Sequence, residues 1–186
     1  MANRSILQLA LLLVLFAGVS SKGLLHSYQR RTNQRSLSLL KEMMGNPPPE
    51  CLKEIIDFKI PQEIVRPMKC QKENATMIIL EMLQQIFLLF SSNNASLGVD
   101  NTIIEEFLNG IHVQMEHLET ALEEEMEQNN ITWESKESLL HLNNYYQRIN
   151  DYLKNKEYSS CSWLRVQQET RLNFIILYKL TKCLKN

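Results

Sequence analysis

The chain has 186 residues and a mass of 21.8 kDa, 44% of it hydrophobic and 22% charged, which suits one globular domain with a sizeable core. Its formal charge of -1 becomes -2 without the first 21 residues (19 basic against 21 acidic), so the basic footprint of a nucleic-acid binder is excluded. Five Gly and five Pro exclude collagen-like and low-complexity classes, and all five prolines fall between residues 47 and 67.

Residues 1–21 read as an export signal: Arg4 precedes an apolar run from Leu9 to Val19, and Val19-Ser20-Ser21 offers the small residues at which a peptidase cuts. That run is about half of the roughly 20 apolar residues a membrane span needs. The other apolar stretch, Met77 to Phe90, contains Glu81, Gln84 and Gln85, which lipid would strand, so no membrane insertion is expected. The product is then a secreted, extracellular domain of residues 22–186. In an oxidising compartment Cys51, Cys70, Cys161 and Cys183 are free to pair, with three connectivities open. His26, His112, His117 and His141 lack ligand spacing, so neither a metal nor any other cofactor is expected. Sequons mark Asn74, Asn94 and Asn130 for glycans, Asn94 foremost because it lies in a polar linker.

The hydrophobic pattern is helical almost throughout. A first helix over 24–44 carries Leu25, Tyr28, Leu39, Leu40 and Met43 on one face, with Gly45 to end it and Pro47 to prevent its continuation. The roughly 25 residues that follow are too long for a hairpin and imply a crossover, with the second helix parallel to the first. That second helix, about 71–90, is apolar on most sides except for a stripe of Glu81, Gln84 and Gln85, and so is expected to be buried. A third helix after Asp100 places Ile104, Leu108, Ile111, Met115, Leu118 and Leu122 on a seam suited to bundle packing. Nine acidic residues lie between Val99 and Gln128 without one Lys or Arg, which reads first as a solvated face.

A fourth helix, about 136–155, presents Leu142, Tyr145, Tyr146, Ile149, Tyr152 and Leu153. A fifth, about 161–184, presents Trp163, Val166, Thr170, Phe174, Leu177 and Leu184. The fifth has a second row, Gln168, Arg171, Leu172 and Ile175, where apolar groups stand beside a cation. Two accounts of that row are open: a partner surface, or a wider core stripe. Phosphate-binding, zinc-protease and hydrolase motifs are all missing, and a continuous acidic helix face supplies no cleft for acid–base work, so an enzyme is not expected. A secreted helical bundle with a long crossover points to a signalling ligand. The alternatives are another four-helix hormone or cytokine and an amphipathic lipid-binding protein.

The chain resembles the type I interferons, and within them the beta branch. The resemblance rests on Tyr145-Tyr146-Gln147-Arg148-Ile149, Tyr152-Leu153, Lys156-Glu157-Tyr158-Ser159, Cys161-Ser162-Trp163, Glu81-Met82-Leu83-Gln84-Gln85-Ile86-Phe87 and Cys51-Leu52-Lys53, and it extends over essentially the whole chain. It implies an all-α, up-up-down-down cytokine bundle of five helices with a long crossover loop. It further implies a monomer that joins the two chains of a cell-surface receptor and activates Janus kinases, and through them antiviral, antiproliferative and immunomodulatory transcription. A Cys51–Cys161 bond follows from the resemblance and from the placement of one cysteine in the crossover and one at the start of the fifth helix. A Cys70–Cys183 bond is foreign to the family, although the topology permits it.

In the family a high-affinity receptor chain docks on the first helix, the crossover loop and the fifth helix, which carries over to Leu52, Gln168, Arg171 and Leu172. The low-affinity chain docks on the second to fourth helices, giving the acidic face a candidate role. The chain departs from the pattern at Ile55 and Gln167, where the family tends to have Arg, and at Ser162 before the Trp. Lys53, Arg165 and Arg171 are expected to carry the displaced positive charge, and Trp163 is expected in the core.

Overall fold

In the computed structural model, residues 25–53, 56–66, 71–92, 98–126 and 133–185 are described, and among them every regular element is helical. The elements are α1 (25–44), a 3-10 turn (Pro49–Leu52), the single turn α2 (Gln62–Val65), α3 (Lys72–Ser91), α4 (Asn101–Met126), α5 (Trp133–Asn155), α6 (Ser160–Leu180) and a closing 3-10 segment (Thr181–Lys185). The fourth expected helix starts three residues earlier, at Trp133, and the fifth tightens to 3-10 geometry after Leu180.

Local chemistry sets these boundaries. Gly45 adopts φ +49°, the left-handed turn that ends α1, and its N–H donates to the carbonyl of Glu42. At the start of α4 the Asp100 carboxylate accepts from both the N–H and the hydroxyl of Thr102, which holds its pKa below the usual range. Ser159 caps α6 by accepting from the Ser162 N–H, and the Ser162 hydroxyl returns a bond to the Ser159 carbonyl. The small residue before Trp163 therefore belongs to the cap. Between α5 and α6 the chain reverses through Glu157 and Tyr158, both at positive φ, with the Tyr158 N–H bonded to the Leu153 carbonyl.

Side-chain pairings give the directions. Tyr28 meets His117, Gln29 bonds the Gln114 carbonyl and Arg35 pairs with Glu106, so rising numbers on α1 meet falling numbers on α4. Phe87 with His112 and Phe90 with Phe107 make α3 antiparallel to α4 as well. Helices α1 and α3 are therefore parallel, which the long crossover requires. Arg30 against Tyr178 at one end and Lys41 beside Leu164 at the other make α6 antiparallel to α1. Helices α1, α3, α4 and α6 thus run up, up, down, down, with α5 as a fifth helix linked to α6 by the short reversal.

The core is continuous, and its centre is aromatic. Trp163, Phe90, Phe107 and Phe174 contact one another in sequence at centroid separations of 5.7, 5.1 and 5.8 Å, joining α6, α3, α4 and α6 again. Ten residues of α3 are buried, which uses the apolar surface that made this helix look like a span. The seam of α4 is rotated from the expected one: Phe107 and Gln114 are fully buried, while Leu108, Met115 and Leu122 are only half-buried. The buried stripe of α1 includes Leu39, Leu40 and Met43 as expected, then continues through His26, Gln29, Asn33 and Ser36.

Candidate functional site

The end of α1, the crossover loop and the outer face of α6 enclose an open groove of about 470 Å³. Its walls include Met44, Pro47, Ile56, Leu164 and Leu172, with Lys41, Arg165 and Arg171 as cations and Glu169 as the carboxylate. The loop is tied to the bundle at several points. The Cys51–Cys161 disulfide joins it to the first turn of α6, with the Cα atoms 4.9 Å apart. Closing a loop of 110 residues is worth on the order of 4 to 5 kcal/mol in the chain-entropy account. Arg165 donates to the Ile56 carbonyl and to Gln168. From α5, Arg148 donates to the carbonyls of Phe58 and Lys59, each at 2.9 Å, and fixes the backbone where Lys59 turns through φ +58°. The buried Phe58 ring stacks edge-on against Tyr152, and Glu63 of α2 meets His141 of α5 at 2.7 Å.

A hydrogen-bond chain supports the groove wall between α5 and α6. The Tyr146 hydroxyl donates to Asn173 Oδ1, Asn173 Nδ2 donates to the Tyr145 hydroxyl, and that hydroxyl donates to Glu169, at 2.6, 2.6 and 2.7 Å. Burial pushes both phenols well above their ordinary pKa, so they act as neutral donors. Burial also raises the Glu169 carboxyl, opposed by the Tyr145 bond.

Of the residues singled out in the sequence, Gln168, Arg171 and Leu172 all line the groove. Leu172 is 52% exposed and Ile175 37%, so their row is an outer surface and not a wider core stripe. Arg171 is exposed and makes no ion pair or side-chain hydrogen bond among the described residues. Gln168 is half-buried and occupied by Arg165. Leu52 ends the 3-10 turn beside Cys51, but its side chain lies outside what is described, as does all of Ile55. Trp163 is buried, and Gln167, at the position of an expected Arg, is buried too.

Cys183 is disulfide-bonded, whereas Cys70, its suggested partner, lies outside the described residues. Asn74 sits half-buried in the first turn of α3, donating to Gln71, while Asn94 and Asn130 lie outside the described residues, as does the 1–21 segment. On α4, Glu105, Glu106, Glu116, Glu119 and Glu123 are exposed; Glu106 forms a two-point bridge to Arg35, and Glu116 faces His112. Lys41, Ile56, Arg148 and Glu169 were not anticipated as parts of the site. Arg148 falls inside one of the motifs quoted above, but nothing in one sequence says that its partners are loop carbonyls some 90 residues away.

Residues 25–184 match the profile described as Interferon alpha/beta domain. The chain belongs to that interferon family. Interferon beta from Tachyglossus aculeatus aculeatus is 42% identical over the full length of both chains, and that from Homo sapiens 41%. Among solved structures, zebrafish interferon 2 superposes with a TM-score of 0.70 at 22% identity, covering 81% of this chain and 97% of its own. Zebrafish interferon 1 gives 0.68 at 16%, covering 85% and 99%. At such identities they show the fold alone: a helical cytokine bundle. This interferon is accordingly a cytokine, of a family that is not one of enzymes.

Proposed function

We propose that this interferon, secreted after removal of residues 1–21, acts as a monomer that brings together the two chains of the type I interferon receptor. The receptor-bound Janus kinases then drive antiviral, antiproliferative and immunomodulatory transcription. The observation that carries this reading is the groove between α1, the crossover loop and α6, with the uncommitted Arg171 and the exposed Leu172 on its rim. An apolar side chain beside a free guanidinium is the composition of a binding hot spot, since the planar fork pairs with a carboxylate at low dehydration cost. The disulfide and the Arg148 and Arg165 bonds preorganise the loop, so that little ordering is left for the moment of binding. Leu52 and Gln168 extend the same surface. The exposed carboxylates of α4 are the contacts proposed for the lower-affinity chain. A Cys70–Cys183 bond and a glycan on Asn94, with others on Asn74 and Asn130, complete the secreted form.

The test is an interferon-responsive reporter in cells of the matched species with and without each receptor chain. Arg171→Ala is expected to weaken binding by about 2 kcal/mol, close to thirtyfold, at unchanged melting temperature. Signalling that persists without either receptor chain, or unchanged affinity in both Arg171→Ala and Leu172→Ala, overturns the reading.

A further inference from the structure

At the other end of the same α1/α6 face lies a second, smaller cavity of about 280 Å³, lined by His26, Arg30, Tyr178, Thr181 and Lys182. No carboxylate lines it among the described residues. The Arg30 guanidinium lies over the Tyr178 ring, 5.1 Å from its centroid. That cation–π contact holds the guanidinium in place while its N–H groups stay available for two-point contact with an anion. The Thr181 hydroxyl is committed to the Tyr178 carbonyl, which leaves Arg30 and Lys182 as the cationic donors beside the Tyr178 phenol and the His26 ring. Arg30 and Lys182 are both exposed at its mouth.

The surroundings share this sign. The neighbouring positions Arg31 on α1 and Lys179 on α6 are basic and exposed, whereas Lys41, Arg165 and Arg171 line the groove at the other end and Arg35 is paired with Glu106. Glu106 of α4 meets α1 through Arg35, on the flank where Tyr28 packs against His117. The cavity admits one compact anionic group and too little apolar surface for a hydrophobic ligand, while the positive face around it suits a chain of such groups. We infer that this cavity, with Arg30 and Lys182 as its principal contacts, is a binding site for the sulfate groups of an acidic polysaccharide. Lys41 is eleven residues from Arg30 along α1, about 16 Å by helix rise, so a short oligosaccharide seated here leaves the larger groove open.

The probe is a fluorescein-labelled, fully sulfated disaccharide, too short to reach Lys41, titrated by anisotropy against the full-length secreted protein at near-physiological salt. Saturable binding is expected, with affinity reduced about tenfold in Arg30→Ala and again in Lys182→Ala, each at unchanged melting temperature. Arg30→Lys keeps the charge without the fork and is expected to fall between wild type and Arg30→Ala. Lys41→Ala, in the groove, should bind as wild type does. No saturable binding, an equal loss in Lys41→Ala, or equally tight binding of a labelled polyglutamate of the same charge would each overturn the assignment. The first denies the site, the second makes it a diffuse positive face, and the third makes the ligand an acidic peptide.

Discussion

The two sides of α4 are held by different physics. Toward α3 and α6 it presents Phe107, which touches Phe90 and Phe174 in a dry aromatic row. Toward α1 it presents Gln114, whose carbonyl accepts from Gln29, with Asn33 one turn further along α1. Both amide atoms of Gln114, both of Asn33 and the Gln29 oxygen are buried without a protein hydrogen-bond partner. Dispersion and buried apolar area stabilise the first contact. The second gains little net energy, because five of its buried amide atoms have left water without gaining a protein partner.

The largest effect should come from breaking the aromatic side. Phe107→Ala is expected to cost about 4 kcal/mol, since a fully buried ring is lost from between two others. Denaturant unfolding measures it, and a loss under 2 kcal/mol would mean that the row collapses around the gap. The amide side predicts the opposite sign. Asn33→Leu should raise stability by about 1 kcal/mol, because two orphaned polar atoms leave the interior; a clear loss would show that Asn33 is better satisfied than its surroundings suggest.

The smallest effect concerns Glu169, where a carboxylate is desolvated at the groove wall. Its folded pKa is raised above the unfolded value, so its contribution favours folding at acid pH and declines as pH rises through the interval between the two. Asp100 and Glu106 are lowered, so theirs is present at neutral pH and is lost as pH falls through their folded values. Glu169→Gln should therefore remove the component of stability that grows on acidification and steepen the loss at low pH. Melting temperatures across the acid range provide the check, and an unchanged profile would remove Glu169 from the titration.

The same contrast explains what the sequence makes legible. Periodicity finds the helices because Ile104, Ile111 and Leu118, or Trp163, Val166 and Phe174, declare a buried face by being apolar. It misses the upper half of the α1 stripe because His26, Gln29, Asn33 and Ser36 are polar residues in buried positions, and only the opposing helix reveals that. The apolar pattern of α4 puts its seam one step away from Phe107 and Gln114 for the same reason: Leu108 and Met115 are apolar, yet lie at the edge of the contact. At the site, the exposed row of Arg171 and Leu172 was visible as a pattern, because its residues lie on one helix. Lys41, Ile56 and Arg148 were not visible, because each acts through chain that is distant in sequence.

The Cys51–Cys161 bond also changes the molecule's connectivity. It makes residues 51–161 a covalent ring holding α2 to α5, with α1 as a tail and α6 leaving at the same junction before its far end is fastened again through the disulfide-bonded Cys183. A single protease cut anywhere in that ring opens it without producing two molecules. After such a cut between α4 and α5, the halves remain fastened at the place where α1, the loop and α6 meet. The groove would then outlast the integrity of the chain that built it.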